Sequence, residues 1–277
     1  MDLKVVKQTG ESFTLSEKGI IVQEFIPGPI EIKRENAVLG GRAGKIPLGV
    51  EYGTRKLKAS LLFMVRDQFD YLTKRDEVVA LLTMLEPFYV REGVAIGNMY
   101  EFEKPGQYWD ALNMLPRETV YIDEKQWFVE TVSLSDPEQI GMMGKIEWEL
   151  ETYTLPFGES LLKTSLFEVT SFTFDYLGNA PINPRYMPLE IAITGVGTNA
   201  TITNTTTGES MVYTGAMNAS NTLRIDSTEG MRITKDKLSV LRNTNKTFIS
   251  LAPGKNDFIV TNLTDISVTF THKNYYK

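Results

Sequence analysis

The sequence predicts a mainly β protein in two parts, of which the first carries a single packed α-helix. Most of the chain consists of short stretches in which apolar and polar residues alternate, which is typical of half-buried strands. Only residues 67–85 place apolar side chains at intervals of three and four, which indicates an amphipathic helix. The composition changes between residues 155 and 165, which predicts an N-terminal domain, residues 1–158, and a C-terminal domain, residues 159–277.

The predicted helix begins after Asp67, whose carboxylate is placed to accept hydrogen bonds from the free amides of the first turn. Pro87 lies just beyond its end and disfavours helical geometry in the residue before it. Because a helix with one apolar face needs a sheet to bury that face, we expect a β-sheet packed on it. The apolar stripe that we expect to be buried consists of Phe69, Leu72, Val79, Leu82 and Leu85.

Two alternating stretches indicate the central strands of the first domain, because every second side chain of a strand points to the same face. Pro27-Gly28-Pro29 is a turn signal, and the polar triplet at residues 123–125 predicts a hairpin. The residues expected to face the core are Leu57, Ala59, Leu61 and Phe63 in one strand and Ile146, Trp148 and Leu150 in the other.

The second domain has no helical period and a different composition. Residues 161–277 contain 31 Thr and Asn in 117 positions, against 12 in residues 1–160. Eight short runs separated by turns predict a β-sandwich. These runs are residues 171–176, 189–194, 200–204, 210–213, 222–225, 246–251, 257–261 and 266–271.

Charge and composition argue against several function classes. The net charge is −6: residues 1–160 carry 18 basic and 26 acidic side chains, a net of −8, and residues 161–277 carry 11 and 9, a net of +2. Neither part predicts the basic surface that duplex binding requires. The absence of cysteine excludes disulfides and thiolate zinc sites and fits synthesis in a reducing cytoplasm. No apolar run approaches the ~18–20 residues of a membrane span, and we see no secretory signal, so we expect no membrane insertion.

No constellation of residues points to catalysis, to a cofactor or to a metal, so we expect none of the three. His272 is the only histidine, and its polar neighbours place it at the edge of a last strand, where a Ser–His mechanism would rest on it alone. Glu147, Glu149 and Glu151 share one strand face about 7 Å apart. Glycosidases use carboxylate pairs, but a solvated strand face is the simpler interpretation.

Two residues are candidates for contact with another chain. Arg42 lies in the segment Gly40-Gly41-Arg42-Ala43-Gly44, which lacks the following helix of a phosphate loop and is better read as a flexible loop with a free arginine. Trp109 follows the turn signal Pro105-Gly106, and we expect it at the surface. The three tryptophans, Trp109, Trp127 and Trp148, could also form a sugar-stacking platform, although we expect Trp148 in the core.

The order of these signals resembles the distal tail (Dit) proteins of long-tailed phages that infect Gram-positive bacteria. The resemblance extends over nearly the whole chain. The residues that carry it are Gly41-Arg42-Ala43-Gly44, Leu61-Leu62-Phe63, Arg75-Asp76, Leu81-Leu82, Pro87, Pro105-Gly106, Trp109, Gly178-Asn179, Pro184, Pro188 and the turn Leu251-Ala252-Pro253-Gly254-Lys255-Asn256.

The resemblance implies a belt-like N-terminal domain that assembles into a hexameric ring and a galectin-like C-terminal β-sandwich that projects outward. Such a ring joins the tail tube to the tail-tip or baseplate proteins, and DNA passes through its bore without specific binding. The protein is then made in the cytoplasm of the host bacterium and is located in the virion, at the phage tail tip. Arg42 and Trp109 are the residues that we expect at the ring contact.

Two other functions stay open at this point. One is a carbohydrate-binding or glycan-processing protein, with the second domain as its lectin. The other is an oligomeric adhesin or capsid-associated protein of different origin. The oligomeric mass in solution and binding to glycans separate these alternatives from the ring.

Overall fold

The structure, a computed structural model, describes residues 1–41, 43–95, 119–228 and 230–277. The chain forms two compact units, Met1–Gly158 and Glu159–Lys277. Both are built from antiparallel strands, and α1 is the one α-helix among the described residues. The prediction of a mainly β fold with one helix is confirmed. None of the helices in the described ranges is long and apolar enough to cross a bilayer.

The first unit is one antiparallel sheet packed on the helix. Its strands run in the spatial order β2-β1-β5-β6-β8-β4-β3, with the short β7 beside β8. The elements are β1 (Asp2–Lys7), β2 (Ser12–Thr14), β3 (Ile20–Ala37), β4 (Ile46–Met64), α1 (Gln68–Leu82), β5 (Phe88–Ala95), β6 (Thr119–Leu134), β7 (Glu138–Ile140) and β8 (Met143–Thr152), with a 3-10 turn at Ser16–Lys18. The two-residue strand β9 (Gly158–Glu159) contains the boundary between the units.

The core of this unit follows the predicted alternation. Ala59 lies opposite Trp148, and Leu61 lies opposite Ile146, so these side chains share one sheet face. All seven residues that were expected to face the core are buried. The two central strands are therefore confirmed, and α1 covers this face of the sheet.

The helix begins as predicted, but it buries a different face. Oδ1 of Asp67 accepts hydrogen bonds from the backbone N–H groups of Phe69 and Asp70, both at 2.8 Å. The prediction that Phe69, Leu72 and Leu85 face the core is wrong, because their side chains are 85%, 53% and 95% exposed. The predicted stripe keeps only Leu82 as a fully buried member.

The buried face of α1 consists of Tyr71, Val78 and Leu82. These positions are separated by seven and four residues, so they lie on one side of the helix. The ring of Tyr71 stacks on Phe63, with 5.6 Å between ring centroids. The sequence contains two overlapping stripes, and the contact of Tyr71 with Phe63 distinguishes the one that packs.

The polar triplet at residues 123–125 is a bulge, so the predicted hairpin is wrong. Arg91 of β5 pairs with Gln126, and Gly93 pairs with Tyr121. Four residues of β6 therefore lie opposite the single residue Glu92, and the strand continues from Thr119 to Leu134. The strand accommodates the polar residues in a bulge and keeps its direction.

The second unit contains strands β10 to β19. β10, β18, β12, β15, β16 and β17 are neighbours in that order, while β11 pairs with β18 and both β13 and β14 pair with β12. The bounds are β10 (Lys163–Phe167), β11 (Ser171–Tyr176), β12 (Leu189–Asn204), β13 (Glu209–Val212), β14 (Ala216–Met217), β15 (Thr222–Asp226), β16 (Arg232–Lys235), β17 (Leu238–Ser239), β18 (Gly254–His272) and β19 (Tyr275–Tyr276), with a 3-10 turn at Leu241–Asn243.

Two long strands, β12 and β18, bend over and supply both layers of a sandwich. Phe258 and Phe270 lie twelve residues apart on β18, a separation of about 40 Å in a straight strand. Their ring centroids are nevertheless 5.0 Å apart. Asn262 and Asp265 have φ values of 66° and 49° at the bend, where one strand leaves the first layer and enters the second.

The bend changes four of the predicted runs. Residues 189–194 and 200–204 form the single strand β12, and residues 257–261 and 266–271 both belong to β18. A Cβ at Gly197 would overlap the carbonyl oxygen of Asn262, so glycine is needed where the bent strands meet. Residues 246–250 are not a strand, which corrects the run at 246–251.

Candidate assembly surface

The β3–β4 hairpin leaves the body of the first unit and continues as a two-stranded ribbon. No described residue from Ile26 to Tyr52 is buried, whereas Val22, Phe25 and Leu57 on the same strands are. We call residues 26–52 the hairpin arm. A two-stranded ribbon is marginally stable by itself in water, so the arm is a candidate for contact with another chain.

The two faces of the hairpin arm differ in chemistry. Ile32 lies opposite Tyr52, and Val50 lies opposite Arg34, so these four residues share one face. The side chains of Ile32, Val50 and Tyr52 are 54%, 65% and 49% exposed. At the base of the arm, the ring of Tyr52 packs edge-on against Phe157 at 5.6 Å. This is the apolar face of the arm.

The opposite face carries charged side chains. Lys33 lies opposite Glu51, with Glu31 and Glu35 two residues away on either side along β3. Nζ of Lys33 lies 3.9 Å from Oε2 of Glu31, a weak surface ion pair. The arm is therefore an amphipathic ribbon, with the apolar side chains as the unusual part of its surface.

The outer edge of β3 is open. Its one pairing partner among the described strands is β4. Pro27 and Pro29 lack N–H donors, as is common in edge strands. The predicted turn at Pro27-Gly28-Pro29 is wrong, because the segment is a bulged part of the strand. A Cβ at Gly28 would lie 2.8 Å from the carbonyl oxygen of Lys56, so only glycine permits this close approach.

The tip of the hairpin arm lies between β3 and β4. Gly41 and Gly44 have φ values of 83° and 87°, which favour glycine. Arg42, the first predicted ring-contact residue, falls between them and lies outside the described residues. Trp109, the second, also lies outside them, together with the turn at Pro105-Gly106. Both residues stay predictions.

The other sequence candidates do not form a reactive site. Nζ of Lys58 lies 2.7 Å from Oε1 of Glu149, and Ser133 donates a hydrogen bond to the same carboxylate at 2.9 Å. These two hydrogen bonds, that from Lys58 first, lower the pKa of Glu149. Glu147 pairs with Lys145 at 3.4 Å. The three glutamates on this strand thus form a solvated face, as the simpler interpretation predicts.

His272 is buried, so its predicted place at a polar edge is wrong. β18 lies between β10 and β12, and His272 follows Val268 and Phe270 on the inward face. Its ring packs on Phe174, with 5.0 Å between centroids. Burial, followed by the charge of Lys163, lowers the pKa of His272 to about 4. The inward alternation at 268, 270 and 272 is the sequence signal that indicates this burial.

Two of the three tryptophans are core residues. Trp127 and Trp148 are buried, and Nε1 of Trp148 donates a hydrogen bond to Thr131 at 3.2 Å. They offer no stacking surface to a sugar. Within the described ranges, no group of three His, Asp or Glu side chains is placed to hold a metal ion.

Comparison with known families identifies the chain. The family described as "Phage tail protein RIFT-related domain" matches residues 8–152, more than half of the chain. The family "Siphovirus-type tail component, C-terminal domain" matches residues 177–274. The chain belongs to the siphovirus-type distal tail (Dit) proteins. This Dit protein is a structural component of the phage tail and baseplate hub, as the resemblance predicted.

A solved structure supports the fold of this Dit protein. The SPP1 Dit (gp 19.1) protein, described as a paradigm of the hub adsorption apparatus in phages that infect Gram-positive bacteria, matches with a TM-score of 0.65 at 12% identity, over 98% of each chain. The baseplate of phage P2 in its activated conformation with Ca gives a TM-score of 0.41 at 7% identity, over 99% of this chain and 97% of that one. No curated protein gives a significant sequence match.

Proposed function

We propose that this Dit protein is a non-enzymatic scaffold that closes into a hexameric ring between the tail tube and the tail-tip proteins. The observation that carries the proposal is the exposed apolar face of the hairpin arm. A second copy that receives this face removes apolar surface from water. When two different patches meet and the rotation between copies closes, the repeated contact generates a ring.

The open edge of β3 supports the same arrangement. Unpaired N–H and C=O groups along an edge strand are a template for pairing with another chain. The arm therefore offers an apolar face and a strand edge at once. Arg42 near the tip and Trp109 remain the residues that we predict to contact the neighbouring copy.

The charge of the first unit suggests how DNA passes the ring. Residues 1–160 carry a net charge of −8, so six copies would carry 48 net negative charges. Where part of this charge lines the bore, repulsion keeps the DNA backbone from binding to the wall. A ring structure with a lysine-lined bore would contradict this part of the proposal.

In this function, shape and self-association take the place of reactive groups. The carboxylates of the β8 face are used in surface pairs with lysines. His272 is held in an apolar environment in which its neutral form is favoured. No cofactor or metal is needed for ring closure.

The solution mass tests the proposal. One chain has a mass of 31.3 kDa, so a six-fold ring has a mass of about 188 kDa. We expect light scattering to show this species, either for the protein alone at high concentration or after addition of the tail tube protein. A protein that stays monomeric under both conditions would contradict the ring.

Two variants test whether the apolar face makes the contact. Ile32→Glu places a carboxylate on the apolar face, and we expect it to abolish the six-fold species. Lys33→Glu is the matched control, because it changes the neighbouring residue on the charged face and adds more negative charge. A ring that survives Ile32→Glu, or that is lost equally in both variants, would argue against this face.

A further inference from the structure

Two cations and an indole N–H meet at the end of the first-unit core, where the hairpin arm begins. Arg55 on β4 points to the same side as Leu57, into the unit. Lys125 on β6 lies close enough for the charge of Arg55 to act on it, and Nζ of Lys125 is 5.3 Å from the centroid of the Trp127 ring on the same strand. We call Arg55, Lys125 and Trp127 the cationic corner.

Two donors of the cationic corner, Nε of Arg55 and Nε1 of Trp127, have no acceptor among the described residues. The Arg55 residue is 7% exposed, and its Nε is buried without a hydrogen-bond partner. Trp127 is 1% exposed, and its Nε1 likewise has no partner. Within the part of the chain that the structure describes, neither Arg55 nor Lys125 forms an ion pair with a carboxylate.

Unpaired buried donors are costly. Burial removes the water that solvates a guanidinium or an indole N–H, and nothing in the described protein replaces it. The two cations also repel each other: burial, followed by the charge of Arg55, lowers the pKa of Lys125. Glu92 acts on Lys125 only through space and opposes this effect in part.

The backbone of Gly158 passes close to the indole N–H. A Cβ at Gly158 would lie 3.0 Å from Cγ and Cε of Lys125 and 3.3 Å from Nε1 of Trp127. Any larger residue at position 158 would therefore press on both side chains. Glycine here keeps the chain close to the cationic corner without filling it.

We propose that the cationic corner binds an oxyanion, either a carboxylate or a phosphate group. The guanidinium of Arg55 presents a planar fork of N–H donors that matches two oxygens. Lys125 supplies a second positive charge, and Trp127 donates one N–H. In the virion the oxyanion is a carboxylate of a second copy or a free phosphate, and both have the chemistry that these donors require.

The indole N–H resonance of Trp127 tests the proposal directly. In a ¹⁵N-labelled full-length chain, we expect this resonance to shift saturably as sodium phosphate or sodium acetate replaces chloride at constant ionic strength. Trp148 is an internal control, because its indole N–H is already bonded to Thr131. A Trp127 resonance that does not move, or that moves linearly without saturation, would overturn the proposal.

Variants assign the effect to the cationic corner. Arg55→Met removes the guanidinium and keeps much of the side-chain volume, and we expect it to weaken binding by about tenfold or more. Lys56→Met is the matched control on the opposite face of the same strand and should bind as the wild type does. Equal binding by Arg55→Met would contradict the assignment. Arg55→Lys, which keeps the charge without the fork, serves if Arg55→Met does not fold, and we expect weakened binding.

A second experiment separates the two sources of the oxyanion. Without added phosphate or acetate, the protein is concentrated and its mass and the Trp127 resonance are followed together. A shift that grows with the mass identifies a carboxylate of a second copy. A shift that needs added anion at every mass identifies a free oxyanion. Loss of the ring with retained anion binding would remove the proposed function and leave the cationic corner in place.

Discussion

The two halves of the β3–β4 hairpin differ in the burial of their apolar side chains. In the body, Val22 and Leu61 lie opposite each other and are buried under the rest of the unit. In the arm, Ile32 and Tyr52 also lie opposite each other and remain about half exposed. The apolar side chains are similar, and only what faces them differs. The comparison shows that the arm carries apolar surface that the protomer does not bury, which is why we place the contact with another copy there.

The largest effect on protomer stability is expected in the body of the hairpin. Leu61→Ala removes a fully buried side chain opposite Ile146 and leaves a cavity, and we expect a loss of about 2–5 kcal/mol. Leu82→Ala on the helix should fall in the same range. Urea unfolding followed by tryptophan fluorescence measures this effect, because all three tryptophans lie in the first 160 residues. A wild-type midpoint in both variants would refute the burial of these residues.

A smaller effect is expected in the second unit as the pH falls. His272 has a pKa of about 4 in the folded protein, against the usual 6.5 of an exposed histidine. The unfolded chain therefore binds a proton first, and folding stability is lost as the pH falls from 6.5 towards 4. The full difference between the two pKa values corresponds to a loss of about 3 kcal/mol of folding free energy at most.

Hydrogen exchange measures this pH dependence where it arises. Protection of the β18 amides, corrected for intrinsic exchange, should fall between pH 7 and pH 5 in the wild type. His272→Phe keeps an aromatic ring beside Phe174 and removes the titrating group. We expect a flatter pH profile in this variant, and an unchanged slope would show that other groups cause the loss.

The sequence predicts the parts of the fold in which the local pattern and the packing agree. The alternation of Leu57 to Phe63 needs no knowledge of the partner strand, because one face of it is wholly apolar and the other carries Lys58 and Ser60. The helix stripe differs, since Phe69 and Tyr71 each begin a plausible apolar face and only the position of Phe63 selects between them. The buried face of the helix is therefore set by a long-range contact, which the local spacing of apolar residues does not reveal.

The candidate surface is harder to predict for the same reason. Exposure of Ile32 and Val50 depends on where β3 and β4 leave the sheet, and no local residue marks that point. In the sequence alone, nothing distinguishes Arg55 from the other charged residues on the predicted strands. Its inward direction follows from its register with Leu57, and only the structure shows that its Nε has no acceptor among the described residues.

A still smaller effect is expected at the start of the helix. Asp67→Ala removes the acceptor of two backbone hydrogen bonds, and we expect a loss of about 1 kcal/mol in urea unfolding. Asp76→Ala is the control on the same helix, because Asp76 is exposed and its pair with Arg75 contributes at most a few tenths of a kcal/mol. Equal losses in the two variants would mean that the cap does not stabilise the helix.

The smallest effect on protomer stability is expected in the hairpin arm. This variant tests most directly whether the exposed half of the hairpin contacts another copy. Val50→Ala truncates a side chain that is 65% exposed, so unfolding of the monomer should change by no more than about 0.5 kcal/mol. The same truncation removes apolar surface that we assign to the ring contact, and we expect association to weaken by about tenfold or more. Glu51→Ala on the charged face should leave both quantities unchanged. Sedimentation at several concentrations measures the association, and a Val50→Ala protein that assembles like the wild type would contradict the assignment of this face to the contact between copies.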